Sequence, residues 1–229
     1  MAPELTTKHV ILAGSQGCGK GTQAKKIAEK YGLTILETGG KIREICAETE
    51  LPTEETPEEE FTTNQKIKIA SESGKLAPDE VIMEMVREML GQIENAGILF
   101  DGMPRTPEQA VQLKTLLEGF GQKCQVVLIE ISKEETMNRL QTRKICIDCR
   151  QSPAPNHKED NCTCGGELTS RVDDRETEGI ETRLKEYQTK TVPAINEFDD
   201  IIRIKGEQTP EKVSKDIREA LDPIFKQVT

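Results

Sequence analysis

The sequence predicts a doubly wound α/β sandwich built on a parallel sheet, and three observations carry that expectation. Five short aliphatic runs lack a polar face: 9–13 (HVILA), 33–36 (LTIL), 98–100 (ILF), 126–131 (VVLIEI) and 201–204 (IIRI). Runs of this kind suit strands covered by helices on both sides. Longer stretches with apolar residues three and four apart alternate with them, at 21–31, 78–95, 107–118, 133–143, 180–198 and 210–227, and strand–helix alternation is the signature of a wound α/β sheet. Between the first strand and the first helix stands a glycine-rich loop, which such folds use to hold a ligand.

Strand 9–13 runs into Gly14-Ser-Gln-Gly-Cys-Gly-Lys20-Gly-Thr22. This is the G-x-x-x-x-G-K pattern, with strand before and helix after. Glycines let backbone N–H groups turn inward around phosphate oxygens, and the helix start adds its positive dipole end. Lys20 contributes a compact charge. Gly21 occupies the place where many such loops carry a hydroxyl, and Thr22 supplies one a residue later. Cys18 reads as a small filler of space, since phosphoryl transfer needs no thiol nucleophile. A GTPase would need a base-reading N-K-x-D, and none is present.

Two segments break the alternation. Residues 48–60 (ETELPTEETPEEE) are acidic, hold two prolines and read as a solvated loop. Residues 144–173 hold four of the seven cysteines, two prolines and Gly165-Gly166, with almost no apolar content. Such a stretch lacks the means to build its own core and needs a cross-link. Cys146-x-x-Cys149 is a metal knuckle, and Cys162-x-Cys164 follows after twelve residues. Three readings stay open: zinc on Cys146, Cys149, Cys162 and Cys164; zinc on three of them with His157 or Asp160; or no metal, with free thiols or a disulfide. Asp148 and Asn161 read as exposed.

Composition narrows the field. The 229 residues carry a formal charge of −10, 3% aromatics and no tryptophan, so the core must be aliphatic. An acidic chain is not a nucleic-acid wrapper. No apolar run approaches the ~20 residues of a membrane span, and no secretory signal is visible. A cytoplasmic protein with neither nucleic acid nor membrane as partner is the expectation.

Arginine, whose planar fork matches phosphate oxygens, recurs after strand ends and in loops. Arg43 follows Thr38-Gly-Gly-Lys-Ile, and Arg105 lies in Asp101-Gly-Met-Pro-Arg-Thr. Arg139 and Arg143 are four apart and are expected on one helix face. Arg171 precedes Asp173-Asp174, and Arg183 lies twelve further on.

Taken in order, G-x-x-G-x-G-K-G-T-Q, T-G-x-x-I-R, G-K-L-x-x-D-E, D-G-x-P-R-T-x-x-Q, N-R-L-x-x-R, C-G-G-E-L and R-x-D-D resemble the adenylate kinase family, in its long form with a cysteine-bearing lid. The match runs from first strand to last helix. It implies a P-loop three-layer sandwich with a five-stranded parallel sheet and two inserted subdomains. The core would be 1–37, 78–143 and 174–229, the AMP-binding insertion 38–77 and the lid 144–173. It implies a monomer that catalyses ATP + AMP ⇌ 2 ADP with Mg²⁺, and a structural Zn²⁺ in the lid. By the same resemblance, Gln16, Gly17, Cys18, Gly19, Lys20, Gly21 and Thr22 hold ATP phosphates and Arg139 flanks its adenine. Thr38, Gly39, Arg43, Lys75, Leu76, Ala77, Gly102, Arg105 and Gln109 form the AMP side, Gln109 reading the base. Lys20, Arg105, Arg143, Arg171 and Arg183 surround the transferred group, Asp101 orients Mg²⁺ through water, and Asp173 and Asp174 mark the lid hinge.

The chain departs from the family pattern at Gln16, where proline is usual, and at Glu37 and Gly40, where S-T-G-D is usual. Glu37 is expected to aim away from the pocket. Residues 174–183 carry one extra residue. The alternatives to this reading are a kinase for another nucleoside monophosphate and a degenerate relative that binds nucleotide without catalysis.

Overall fold

The computed structural model describes residues 6–53, 55–93, 96–149, 152–153, 159–170 and 177–225. β1 (Thr6–Gly14) leads through the glycine loop to α1 (Lys20–Tyr31), which stops at Gly32 in the left-handed conformation, and then to β2 (Leu33–Glu37). α2 (Thr38–Glu48) and α3 (Thr63–Glu72) follow, the latter opened by a capping box between Thr62 and Gln65. α4 (Asp79–Gln92), β3 (Gly97–Asp101), α5 (Pro107–Glu118), β4 (Gln122–Glu130) and α6 (Lys133–Thr142) continue the alternation. A hairpin, β5 (Lys144–Cys146) with β6 (Leu168–Ser170), interrupts it. α7 (Thr177–Glu186), α8 (Val192–Asn196), β7 (Ile201–Lys205) and α9 (Pro210–Phe225) complete the chain.

β1, β2, β3, β4 and β7 form one parallel sheet in the order β2-β3-β1-β4-β7. Alternate residues feed two cores. Val10, Leu12, Leu99, Val127 and Ile129 pack with Ala24, Ile27, Ile217 and Leu221 of α1 and α9. Ile11, Phe100, Val126 and Leu128 pack with Met83, Val86 and Leu113 of α4 and α5. The result is the three-layer sandwich expected from the sequence, with an aliphatic core. His9 is fully buried among the strands: its Nε2 donates to Gln122 Oε1 at 2.8 Å and its Nδ1 accepts the Ile98 N–H at 3.0 Å. No helix among the described residues is long and apolar enough to cross a membrane.

Several elements differ from the sequence reading. α2 and α3 were not legible as helices, because each buries a single residue, Thr38 and Ile67 respectively, so neither has a continuous apolar stripe. The acidic loop contains one 3₁₀ turn, Glu58–Glu60. The helix expected over 180–198 is interrupted by a π turn, Tyr187–Thr191, just before Pro193. Proline has no N–H and clashes with the carbonyl four residues back, so the helix widens ahead of it. α6 ends at Thr142, and Arg143 is extended (φ −67°, ψ 125°), so Arg139 and Arg143 do not share a helix face. The chain must leave the helix there to start β5.

Candidate active site

The carboxyl ends of the parallel strands supply the site, as expected where strand order reverses. At the end of β1, Gly14 has φ +144°, and a Cβ there would stand 2.4 Å from the Ile129 carbonyl oxygen and 2.6 Å from Cys18 Sγ. Only glycine lets the loop leave the sheet this close to β4. Cys18 is buried, in keeping with a filler of space. No side chain caps α1 at Gly19, and its first turn carries no carboxylate, so the positive helix end faces the loop uncompensated by acid. Lys20 Nζ folds over the loop and donates to the carbonyls of Gly14 (2.7 Å) and Ser15 (2.9 Å).

Side chains from distant elements brace this loop. Ser15 hydrogen-bonds Thr136 at 3.1 Å. Arg139 donates to Glu135 (2.6 Å), to the Gly17 carbonyl (3.3 Å) and to the Gly206 carbonyl (3.0 Å), linking loop, α6 and the turn after β7. Gln16 Nε2 donates to the Arg183 carbonyl at 3.3 Å, which ties the loop to α7. Leu140, Ile180 and Leu184 pack together, so the helix that leads to Arg143 rests against the helix that carries Arg183.

A second group gathers at the ends of β2 and β3. Thr38 donates to the Gly102 carbonyl at 3.0 Å. Arg105 Nε donates to the same carbonyl at 2.7 Å. A Cβ on Gly39 would lie 3.2 Å from Arg43 Nη1 and 3.9 Å from Arg105 Nη2, so both guanidiniums converge over that glycine. Gln109 is buried; its Oε1 accepts the Arg105 N–H at 2.7 Å and its Nε2 donates to Asp79 at 2.7 Å. Asp79 also accepts from Thr106 at 2.8 Å. Leu76 and Ala77 line a cavity of about 460 Å³ with Asp79, Thr106 and Lys190, and Lys75 is exposed. Glu37 is exposed, and its Oε1 accepts from Arg43 Nη2 at 2.9 Å; Gly40 leaves the space its carboxylate fills.

Asp101 joins the two groups. Burial pushes its carboxyl above the usual range; Glu37 adds to the shift, and Lys20, Arg105 and Arg43 oppose it. Asp101 lies in register with Leu12 of β1 and Glu37 of β2, so this buried carboxylate stands between the end of β1, which leads to the glycine loop, and the group at the ends of β2 and β3.

A family model described as adenylate kinase matches residues 12–202. The chain belongs to the adenylate kinase family. It is 35% identical over 223 residues to the adenylate kinase of Bacillus licheniformis, covering 93% of this chain and 97% of that one. It is 37% identical over 198 residues to that of Caldicellulosiruptor bescii, covering 83% and 86%. The adenylate kinase of Archaeoglobus fulgidus is 34% identical over 227 residues, covering 94% and 99%. The chain is a nucleoside monophosphate kinase, a nucleotide-binding transferase.

The hairpin of the kinase holds the other cluster. The sulfurs of Cys146, Cys149, Cys162 and Cys164 all lie within 4.8 Å of one another, with Cys146–Cys164 at 3.5 Å and Cys149–Cys162 at 3.6 Å. Tetrahedral zinc–sulfur bonds of about 2.3 Å place sulfurs about 3.8 Å apart, whereas a disulfide needs about 2.05 Å. The donor set fits zinc. Backbone and side-chain hydrogen bonds, the Cys164 N–H first, pull the Cys162 thiol down to about 6, toward the thiolate a metal binds. Asp148 and Asn161 are exposed, as expected. His157, Arg171, Asp173 and Asp174 lie outside the described residues.

Sequence reasoning missed Asp79, which clamps Gln109 and Thr106, and the Glu135 and Gly206 partners of Arg139. Asp79 stands inside the G-K-L-x-x-D-E run, so a signal for it existed. Gly206 had none, because its carbonyl acts through backbone position alone.

Proposed function

We propose that the chain transfers a phosphoryl group reversibly between ATP and AMP, with Mg²⁺, giving two ADP. The observation that carries this reading is that Arg43 and Arg105 converge over Gly39 at the ends of β2 and β3, next in the sheet to β1 and the glycine loop that carries Lys20. An AMP phosphate oxygen attacks the γ-phosphorus of ATP, the bond from that phosphorus to the β–γ bridging oxygen breaks, and ADP leaves from the opposite side. The attacking phosphate is already ionised, so no general base is required, and positioning with fixed positive charge carries the catalysis.

In this reading the backbone of residues 15–22 and Lys20 hold the ATP phosphates, and Arg139 stands beside the adenine. Arg43 and Arg105 grip the AMP phosphate, Thr38, Gly39, Gly102 and residues 75–77 line its pocket, and Arg143, Arg171 and Arg183 gather on the transferred group. Gln109, held by Asp79 and the Arg105 N–H, has one amide hydrogen left to offer a purine edge. Asp101 would hold the magnesium that accompanies ATP, whose charge would neutralise the phosphates. Residues 1–37, 78–143 and 174–229 form the core, 38–77 the AMP-binding insertion and 144–173 the lid. Cys146, Cys149, Cys162 and Cys164 would hold a structural zinc there, which would supply the cross-link the hairpin needs.

The test is turnover with ATP and Mg²⁺ against AMP, CMP, UMP and GMP in parallel, products resolved by chromatography. ADP formation with AMP alone is the expected result. Preference for another monophosphate would keep the mechanism and replace the substrate, and folded protein inactive with all four would leave a degenerate binding relative.

A further inference from the structure

The family pattern S-T-G-D carries a carboxylate at position 40 and none at 37, whereas this chain has Glu37 and Gly40, and the geometry around them is specific. Glu37 is the last residue of β2, in register with Asp101 of β3. Its carboxylate lies 3.2–3.3 Å from where a Cβ on Gly40 would stand, and it holds Arg43 Nη2 at 2.9 Å. The Nη1 of the same guanidinium faces Arg105 across Gly39.

We propose that Glu37 is a built-in stand-in for the monophosphate's phosphate, holding Arg43 until the substrate anion displaces it, and that Gly40 makes the room for it. The inference rests on the AMP side assigned above. A carboxylate and a phosphate present the same oxygen pair to a guanidinium fork, so they compete for it. The ion pair is poised for exchange: the side chains of Arg43 and Glu37 are 37% and 55% exposed, and pairs of that kind are weak in water. A phosphate dianion forms the stronger bond, but it arrives beside a displaced carboxylate of like charge. Glu37 thus raises the monophosphate concentration the enzyme needs and leaves the ATP side untouched, since no ATP-side group touches its carboxylate among the described hydrogen bonds.

The test compares wild type with Glu37→Gln at saturating ATP and Mg²⁺ and varied AMP, with AMP binding in the absence of ATP measured by calorimetry. Glu37→Gln should lower the KM and the dissociation constant for AMP together, by about threefold to tenfold, with the KM for ATP unmoved. Gly40→Asp, which puts a like charge against Glu37 and expels it from Arg43, should shift AMP affinity while leaving that for ATP in place. A Glu37→Gln enzyme whose AMP constants are unchanged or weaker overturns the inference alone. Wild type that neither binds nor turns over AMP overturns the assigned reaction and this inference with it.

Discussion

The phosphate loop and the cysteine hairpin are both short, glycine-containing and poor in apolar residues, yet they are held in opposite ways. The loop hangs from β1, where Val10 and Ile11 have no exposed surface and two apolar clusters flank the sheet. Its shape is set by contacts with α6, α7 and β4. The hairpin's buried cluster is Cys146, Cys162 and Leu168, with Cys149 against it. Three of those four residues are themselves the sulfur donors. The comparison teaches that the glycine loop is placed by a scaffold with its own apolar core, whereas the hairpin's buried core is made largely of the sulfurs that a metal would cross-link.

Removing a charge from the scaffolded loop gives the largest effect. Lys20→Ala should cut turnover by about a thousandfold or more and move the melting temperature by no more than about 3 °C. A variant with turnover near wild type would refute the role of the loop lysine, and one that fails to fold would erase the contrast with the hairpin.

The hairpin should answer in reverse. Cys146→Ser, or chelation of the wild type, should release one metal ion per chain and lower the melting temperature by about 5–10 °C, with a smaller loss of turnover than Lys20→Ala produces. Metal analysis and calorimetry read both; an unaltered melting curve with unaltered metal content would show that the four sulfurs do not cross-link the lid.

The smallest effect sharpens the scaffold side. Burial holds His9 below its ordinary value near 6.5, against the Gln122 hydrogen bond that raises it and with Lys8 adding to the fall. The unfolded chain therefore binds a proton that the folded chain refuses. Stability is complete above about pH 6.5 and declines as pH falls through that value, by at most about 1.4 kcal/mol per unit until the folded-state value is reached. Urea midpoints at pH 7.5 and 5.5 should differ more in wild type than in His9→Asn. Equal differences would remove His9 as the sensor.

The legible parts of this protein were those whose signal is local. Residues 14–22 announce themselves by glycine spacing between a strand and a helix, and the five aliphatic runs all became strands of one sheet. The helical stretch expected at 107–118 matches α5. The cysteines, eighteen residues apart at their extremes, converge as the knuckle spacing suggested. The illegible parts were those where side chains act across the fold. α2 and α3 gave no stripe, because they bury so little. Glu37 was expected to aim away from the pocket; its carboxylate stays largely exposed, yet the space beside Gly40 lets it reach Arg43.

Composition, patterning and motif order determined by themselves the fold class, the phosphate loop and the family, because strand burial, helix starts and glycine turns depend on residues a few positions apart. Only the tertiary structure decided which groups meet. Sheet order sets Glu37 beside Asp101, Arg139 against Gly206 and His9 against Gln122. Such pairs are separated by tens of residues in the chain and joined only when the strands align, and a side chain's charge does not disclose its partner.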